Sequence, residues 1–308
     1  MDYIESLRIF RAVFEAKSFR RAGDMLGLTP PAVSRGISTL ERRLGTRLFN
    51  RTTRQFSLME SAERVYDRCC RILDDLATLE AQICGEAPVP TGLLRVVAHT
   101  TATINRLGPL MADFKRQYPG VSLDVTLTER PVDLVGDGFD LGIVLPFMLS
   151  TDRAATRVLE RIPLVLVTTK EYLAHHRRPE KPEDLSGHTF VAMPPALRKP
   201  TLTFRTERGD VAIPIKLDVV SNSPLFNQEL VSLGYGIGAL PVSLIESAVE
   251  EGRLVRLLDD FEIKDGWVEI RLAYGSRAVL SSKVRAFIDH ASVFFDKLTH
   301  DVGHPNSG

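Results

Sequence analysis

At 308 residues, 44% of them hydrophobic and 25% charged, the chain is large enough for about two packed domains, and its composition excludes a disordered or fibrous protein. The three cysteines (Cys69, Cys70, Cys84) argue against a disulfide framework, and no apolar run reaches the roughly 18 residues of a membrane helix. The 39 basic and 39 acidic side chains cancel, but unevenly: residues 1–58 hold eleven Lys and Arg against five Asp and Glu, so a basic block precedes an acidic remainder. Such a block points to a polyanion partner for that segment alone. The opening MDYIESLRIF has no apolar leader core, so the expected location is cytoplasmic, with no membrane contact.

Three helical patterns fill the basic block. Leu7, Phe10 and Phe14 share the face of a first helix. Ser18 is placed to cap a second, with Phe19, Ala22, Met25 and Leu26 on its apolar side and Gly27 as its stop. In LTPPAVSRGISTLERRLG, residues 28–45, Thr29 is an N-cap and Pro30 the first helical residue; both prolines fall in the first turn, where a missing N–H costs no intrahelical bond. Val33, Ile37, Leu40 and Leu44 then form a buried stripe. Ser34, Arg35, Ser38 and Arg42 lie opposite, and Gly36 is expected on that outward side too. A helix, a tight turn and a helix with a polar, basic outer face form a helix-turn-helix pattern, whose partner is double-stranded DNA. A generic three-helix bundle is the blander alternative, and the basic excess weighs against it. GTRLFNRTTRQFSL, residues 45–58, reads as a β-wing whose Arg47, Arg51 and Arg54 reach phosphates or the minor groove.

Residues 60–84 contain neither Pro nor Gly, and Val65, Cys69, Ile72, Leu76, Leu79 and Ile83 recur every 3.5 residues on average. That spacing makes a coiled-coil seam, which needs a partner helix and so implies a second copy of the chain. GEAPVPTG, residues 85–92, follows as a hinge.

Beyond it strands alternate with helices. The apolar run Leu93–His99 is a strand, Thr100, Thr101 or Thr103 caps a helix with Leu107, Leu110, Met111 and Phe114 on one face, and YPGVSLDVTLTE and residues 140–145 supply two more strands. A second set runs from Leu164 through a helix at KEYLAHH to strands near 189–193, 202–205 and 211–220. Asn222 or Ser223 caps a helix that ends at Leu233, residues 268–275 form a strand, and Ser281–Leu298 a closing helix. This alternation predicts a doubly wound parallel sheet with its ligand at the strands' carboxyl ends. Helix starts at Thr100–Thr103 and Ser221–Ser223 would favour an anion. GYGIGA, residues 234–239, follows a helix and opens a strand, the reverse of a dinucleotide-binding loop. His175 and His176 point about 100° apart on a helix and cannot share a metal. With no P-loop or nucleophile elbow either, no cofactor, no metal and no enzymatic activity are expected.

SFRRAGDMLGLTPPAVSRGISTLERRLGTRLFNRTTRQFSL, residues 18–58, resembles the N-terminal winged helix-turn-helix of the LysR-type transcriptional regulators. The run AVSR-I--LE--LG--LF-R carries the likeness, and FDLGIVLP and LGYGIGALP are looser landmarks further on. The resemblance implies a winged helix-turn-helix over 1–59, a linker helix and hinge over 60–90, and an α/β regulatory domain over 91–308 similar to a periplasmic binding protein. Its lobe I would take about 91–160 and 267–300, and its lobe II about 161–266. It implies DNA contacts from Thr29, Ser34, Arg35 and the wing arginine Arg54, with Pro30 standing where many members carry a base-reading glutamine; Gly36 also departs from the polar residue common there. Linker helices would pair antiparallel in a homodimer, with dimers joining into a tetramer, and an activator would also contact RNA polymerase. An effector, favoured as a small carboxylate, would sit between the lobes near Thr100, Thr101, Thr128, Met193, Asn222 and Gly236, with Phe147 as an apolar wall. The alternatives are a ligand-binding module or enzyme with an incidental helix-turn-helix, and a repressor that needs no effector.

Overall fold

The computed structural model describes residues 2–50, 57–84, 89–103, 106–150, 154–194, 196–207, 209–275 and 280–301. The chain divides into two compact units, with the first boundary after Val89.

In the first unit, α1 (Tyr3–Ala16), α2 (Phe19–Leu26) and α3 (Pro30–Leu44) begin and end where the caps require. The Ser18 side chain accepts the Arg21 N–H at 3.3 Å, and Gly27 (φ 65°) and Gly45 (φ 68°) adopt the left-handed conformation that closes α2 and α3. Thr29 caps α3 by backbone conformation alone, with Pro30 and Pro31 following it. A short antiparallel pair, β1 (Phe49–Asn50) and β2 (Ser57–Leu58), leads into the long helix α4 (Glu60–Cys84). Phe10 lies at the centre of the core, with its ring centroid 5.6 Å from that of Phe49 and 6.5 Å from that of Tyr66. Val33, Ile37 and Leu40 of α3 are wholly buried.

The expected faces need correction at their ends. Gly36 is buried with Val33 and Ile37, because it stands three residues after Val33 and four before Leu40, on the same stripe. Leu44 is 37% exposed in the last turn of α3. Met25 and Leu26 are exposed as well, since α2 is short and meets its neighbours through Ala22 and Gly23. A Cβ on Gly23 would lie 2.6 Å from the Leu28 carbonyl oxygen, so the tight turn requires glycine there.

The second unit starts with β3 (Gly92–Ala98), a 3-10 turn at Thr100–Thr103, α5 (Leu107–Gln117), β4 (Val121–Leu127) and β5 (Leu141–Val144). After a 3-10 turn at Pro146–Met148, β6 runs for 15 residues, Ala154–Thr168, and α6 (Lys170–His175) follows. A 3-10 turn at Pro182–Gly187 then precedes β7 (Thr189–Ala192), β8 (Thr201–Thr206), β9 (Gly209–Pro214), β10 (Lys216–Val220), α7 (Pro224–Ser232), β11 (Ile237–Pro241) and α8 (Val242–Glu250). The chain closes through β12 (Val255–Leu257), β13 (Glu262–Ile263), β14 (Trp267–Gly275) and α9 (Ser282–Asp301).

The main sheet has the order β10-β7-β11-β6-β14-β5-β3-β4, with β12 also on β6. It is mixed rather than all parallel. β3 runs parallel to β4 and β5, and β7 parallel to β10 and β11, whereas β14 is antiparallel to β5 and β6, and β6 antiparallel to β11 and β12. β6 changes partners along its length: Ala154–Pro163 pair with β14, and Leu164–Thr168 with β11 and β12. The two lobes meet at that change. β8, β9 and β13 form a separate antiparallel sheet, and the stretch expected as one strand over 211–220 is divided at Ile215 between β9 and β10. The helix expected to start at Thr100–Thr103 begins instead at Leu107, because a run of threonines competes for its own backbone groups and favours a short turn.

Candidate functional site

The outer face of α3 carries Thr29, Pro30, Arg35 and Arg42 exposed, and Ser34 and Ser38 half-buried. The Ser38 hydroxyl donates to the Ser34 carbonyl at 2.9 Å. Arg20 and Arg21 of α2 are exposed too, and the Arg43 guanidinium lies 3.9 Å above the centre of the Tyr3 ring. Arg51 and Arg54 lie outside the described residues, and Arg47 is exposed just before β1. Glu41, which the sequence reading did not single out, accepts the Leu48 N–H at 2.9 Å and so ties the start of the wing to α3.

α4 has two apolar faces. Ala62, Tyr66, Cys69 and Leu73 are buried, and α4 packs on α1: the Tyr66 hydroxyl donates to Glu15 at 2.8 Å, and Arg11 reaches Asp74 at 3.2 Å. Cys69 therefore leaves the expected seam. Its thiol lies 3.4 Å from the Leu7 carbonyl oxygen of the same chain, and burial pushes its pKa up to about 12, which makes it an inert packing group. Of the remaining seam residues, Ile72 is 50% and Leu79 53% exposed, while Val65 and Leu76 are half-buried. The Ile83 side chain lies outside the described set.

In the second unit a cavity of about 400 Å³ opens between the lobes and runs into lobe II. Its walls are mostly apolar: Leu145 and Phe147 from lobe I, Phe190, Leu202 and Leu217 from lobe II, and Trp267 at the crossing. Thr101, Arg198, Lys199, Asn227 and Glu269 supply the polar groups. Arg161 donates to the Glu269 carboxylate at 2.8 Å and Arg271 at 2.6 Å, so its charge is matched, and these hydrogen bonds hold its pKa below the usual carboxylate range. Arg198 and Lys199 leave the lining with a cationic balance suited to an anion.

Three of the seven expected effector residues line this cavity: Thr101, Phe147 and Met193. The other four lie outside it, three of them with structural partners elsewhere. Thr100 donates to Glu129 at 2.8 Å, Thr128 accepts the Arg130 N–H at 3.1 Å, and Asn222 is exposed outside the lining. Gly236 accepts the Thr168 hydroxyl at 2.8 Å and passes so close to Thr189 that a Cβ would lie 2.6 Å from its carbonyl oxygen. Behind the cavity, His99 is fully buried beside Thr101 and Phe147; its Nδ1 accepts the Thr101 N–H at 3.1 Å, and burial lowers its pKa to about 4. Among the described residues no group of three or more His, Cys, Asp or Glu is placed to hold a metal, and no helix is long and apolar enough to cross a membrane.

A capped helix-turn-helix with a basic outer face, followed by a two-lobed α/β unit around a ligand-sized cavity, defines a ligand-responsive DNA-binding regulator. Comparison with known proteins gives the family. Residues 4–63 match the bacterial regulatory helix-turn-helix of the lysR family, and residues 88–294 match the LysR substrate binding domain. The chain belongs to the LysR family of transcriptional regulators. It is 33% identical to the HTH-type transcriptional regulator YcaN of Escherichia coli K12 over 282 residues, which cover 91% of this chain and 92% of that one. It is 29% identical to the HTH-type transcriptional regulator CrgA of Neisseria meningitidis serogroup C over 296 residues, covering 92% and 94%. The solved structure of CrgA, a LysR-type regulator from Neisseria meningitidis, matches at a TM-score of 0.58 and 28% identity over 96% of this chain and 98% of that one. Full-length Vibrio cholerae AphB shares the fold at a TM-score of 0.56 over 96% and 100%.

Proposed function

We propose that the chain works as a homodimer joined along the outer stripe of α4, with dimers pairing into a tetramer, and that two α3 helices enter successive major grooves of a near-palindromic site. The exposed basic face of α3, with Arg35 and Arg42 beside the half-buried Ser34 and Ser38, is the observation that carries this reading. Arg35 reads a base edge, and Thr29, Arg42 and the wing arginines Arg51 and Arg54 hold phosphates. The cavity takes an organic anion, whose binding changes the lobe geometry and through it the spacing of the DNA-binding pairs. The chain acts by binding rather than catalysis, in the cytoplasm, and an activating form would also touch RNA polymerase.

The test is binding of the purified protein to its own upstream DNA and to random duplex at several salt concentrations. Preference for the upstream duplex with a steep salt slope is the expected result. Equal affinity for both duplexes, with and without candidate anions, would overturn the reading.

A further inference from the structure

Two residues of the lining each carry a buried polar atom with no hydrogen-bond partner among the described residues: the Thr101 hydroxyl oxygen and the Asn227 amide oxygen. Each residue is only 2% exposed. A buried polar group left unpaired costs its desolvation free energy, so two of them in one lining, one from each lobe, call for a ligand group that bonds both. Asn227 limits what that group can be. Its Nδ2 already donates to the Ser221 carbonyl at 3.2 Å, so the free atom is an acceptor and needs a donor. The Thr101 hydroxyl gives or takes a hydrogen bond. A ligand hydroxyl satisfies both, donating to Asn227 and accepting from Thr101.

The rest of the lining fixes the remainder of the ligand. Aliphatic side chains dominate the walls on the lobe II side, among them Leu202, Ile215 and Leu217, and exclude a ligand that is polar throughout. Arg198 and Lys199 sit on the segment between β7 and β8. Among the described residues the lining holds one acidic group, Glu269, which is held by Arg161 and Arg271 and does not oppose an anion.

We infer that the cavity takes an amphipathic hydroxy acid: a hydroxyl on Thr101 and Asn227, an aliphatic body within lobe II, and a carboxylate on Arg198 and Lys199. This rests on the effector reading above but departs from a small carboxylate held at helix ends, because Thr100, Thr128 and Asn222 lie outside the lining. Trp267, the chain's single tryptophan, lines the cavity and reports its occupancy.

The experiment titrates the full-length protein with ω-hydroxydecanoate, decanoate, decanediol and succinate, following Trp267 fluorescence and heat of binding. The hydroxy acid is expected to bind at least about tenfold tighter than decanoate, which lacks the hydroxyl the site is built to bond, and than the diol, which lacks the carboxylate for Arg198 and Lys199. Asn227→Leu should bring the hydroxy acid and decanoate to equal affinity, and Thr101→Val should do the same if the Asn227 variant is unstable. Arg198→Met combined with Lys199→Met should weaken both ten-carbon acids about tenfold while leaving the diol unchanged. Equal affinity for the three ten-carbon compounds, or an unchanged preference in both wall variants, would overturn the assignment. Saturation by succinate alone overturns the ligand class and leaves the effector reading standing; saturation by none of the four overturns both.

Discussion

The Glu41 carboxylate accepts the backbone N–H of Leu48 at 2.9 Å, and the same oxygen lies 3.3 Å from the N–H of Phe49. Leu48 and Phe49 are fully buried, so these N–H groups have no water to turn to. Glu41→Ala should therefore cost about 2–3 kcal/mol in urea unfolding and weaken DNA binding, because the wing loses its anchor on α3. Glu41→Gln keeps the acceptor oxygen and should cost about 1 kcal/mol or less. Equal losses in the two variants would show that the negative charge, and not the hydrogen bond, is what matters.

Arg35 is exposed in the middle of α3, one turn beyond the capped start. Arg35→Ala is expected to cost about 1–3 kcal/mol on the specific site and to relax selectivity at one base position. Competition against a set of single-base variants of the site measures this. A uniform loss on every sequence would make Arg35 a phosphate contact.

The two faces of α4 separate stability from assembly. Leu76→Asp lies on the outer stripe and should give monomers by light scattering with the fold of the first unit kept. Cys69→Ala lies on the inner face and should cost about 1–2 kcal/mol of stability while leaving the oligomer intact. A monomeric Cys69→Ala variant would return that residue to the seam.

His99 makes stability depend on pH with a definite sign. Its folded pKa falls from the usual 6.5 to about 4 through burial, so the unfolded chain binds the proton more readily in that interval. The stabilisation is complete above about pH 6.5 and is lost as pH falls toward 4, amounting to about 3 kcal/mol. Urea unfolding from neutral pH down to pH 4 should show a steeper decline in the wild type than in His99→Gln, which retains an acceptor for the Thr101 N–H. Parallel curves would contradict the assignment.

Much of the first unit was legible in the chain, because its signals are local. Ser18, Gly27, Pro30 and Gly45 each impose a backbone geometry within one turn, and the helices end where those residues stand. The faces were harder to read. Ala62, Tyr66, Cys69 and Leu73 repeat with the same spacing as Val65, Ile72, Leu76 and Leu79, and periodicity cannot say which stripe meets α1. Gly36 was legible in principle from its distance to Val33 and Leu40, but glycine carries no side chain to mark a face. The cavity was the least accessible, since Phe147, Phe190, Leu217 and Trp267 come from four segments that only the sheet order brings together. Asn227 gave no sign in the sequence, because its role depends on which of its two amide atoms is already engaged.

The shared strand β6 has a mechanical consequence. At the change of partners it holds Pro163, which has no N–H to give, and the adjoining link is the Leu164 N–H to the Gly266 carbonyl at 2.7 Å. Pro163 pairs with Trp267 on one side of the change and Leu164 with Pro241 on the other, and neither proline can donate, so the ladder of β6 carries fewest backbone bonds where the lobes meet. Under the function proposed above, a body filling the cavity beside that crossing would act as a wedge in a joint: a small angle set there would become a large arc at the far edges of the lobes.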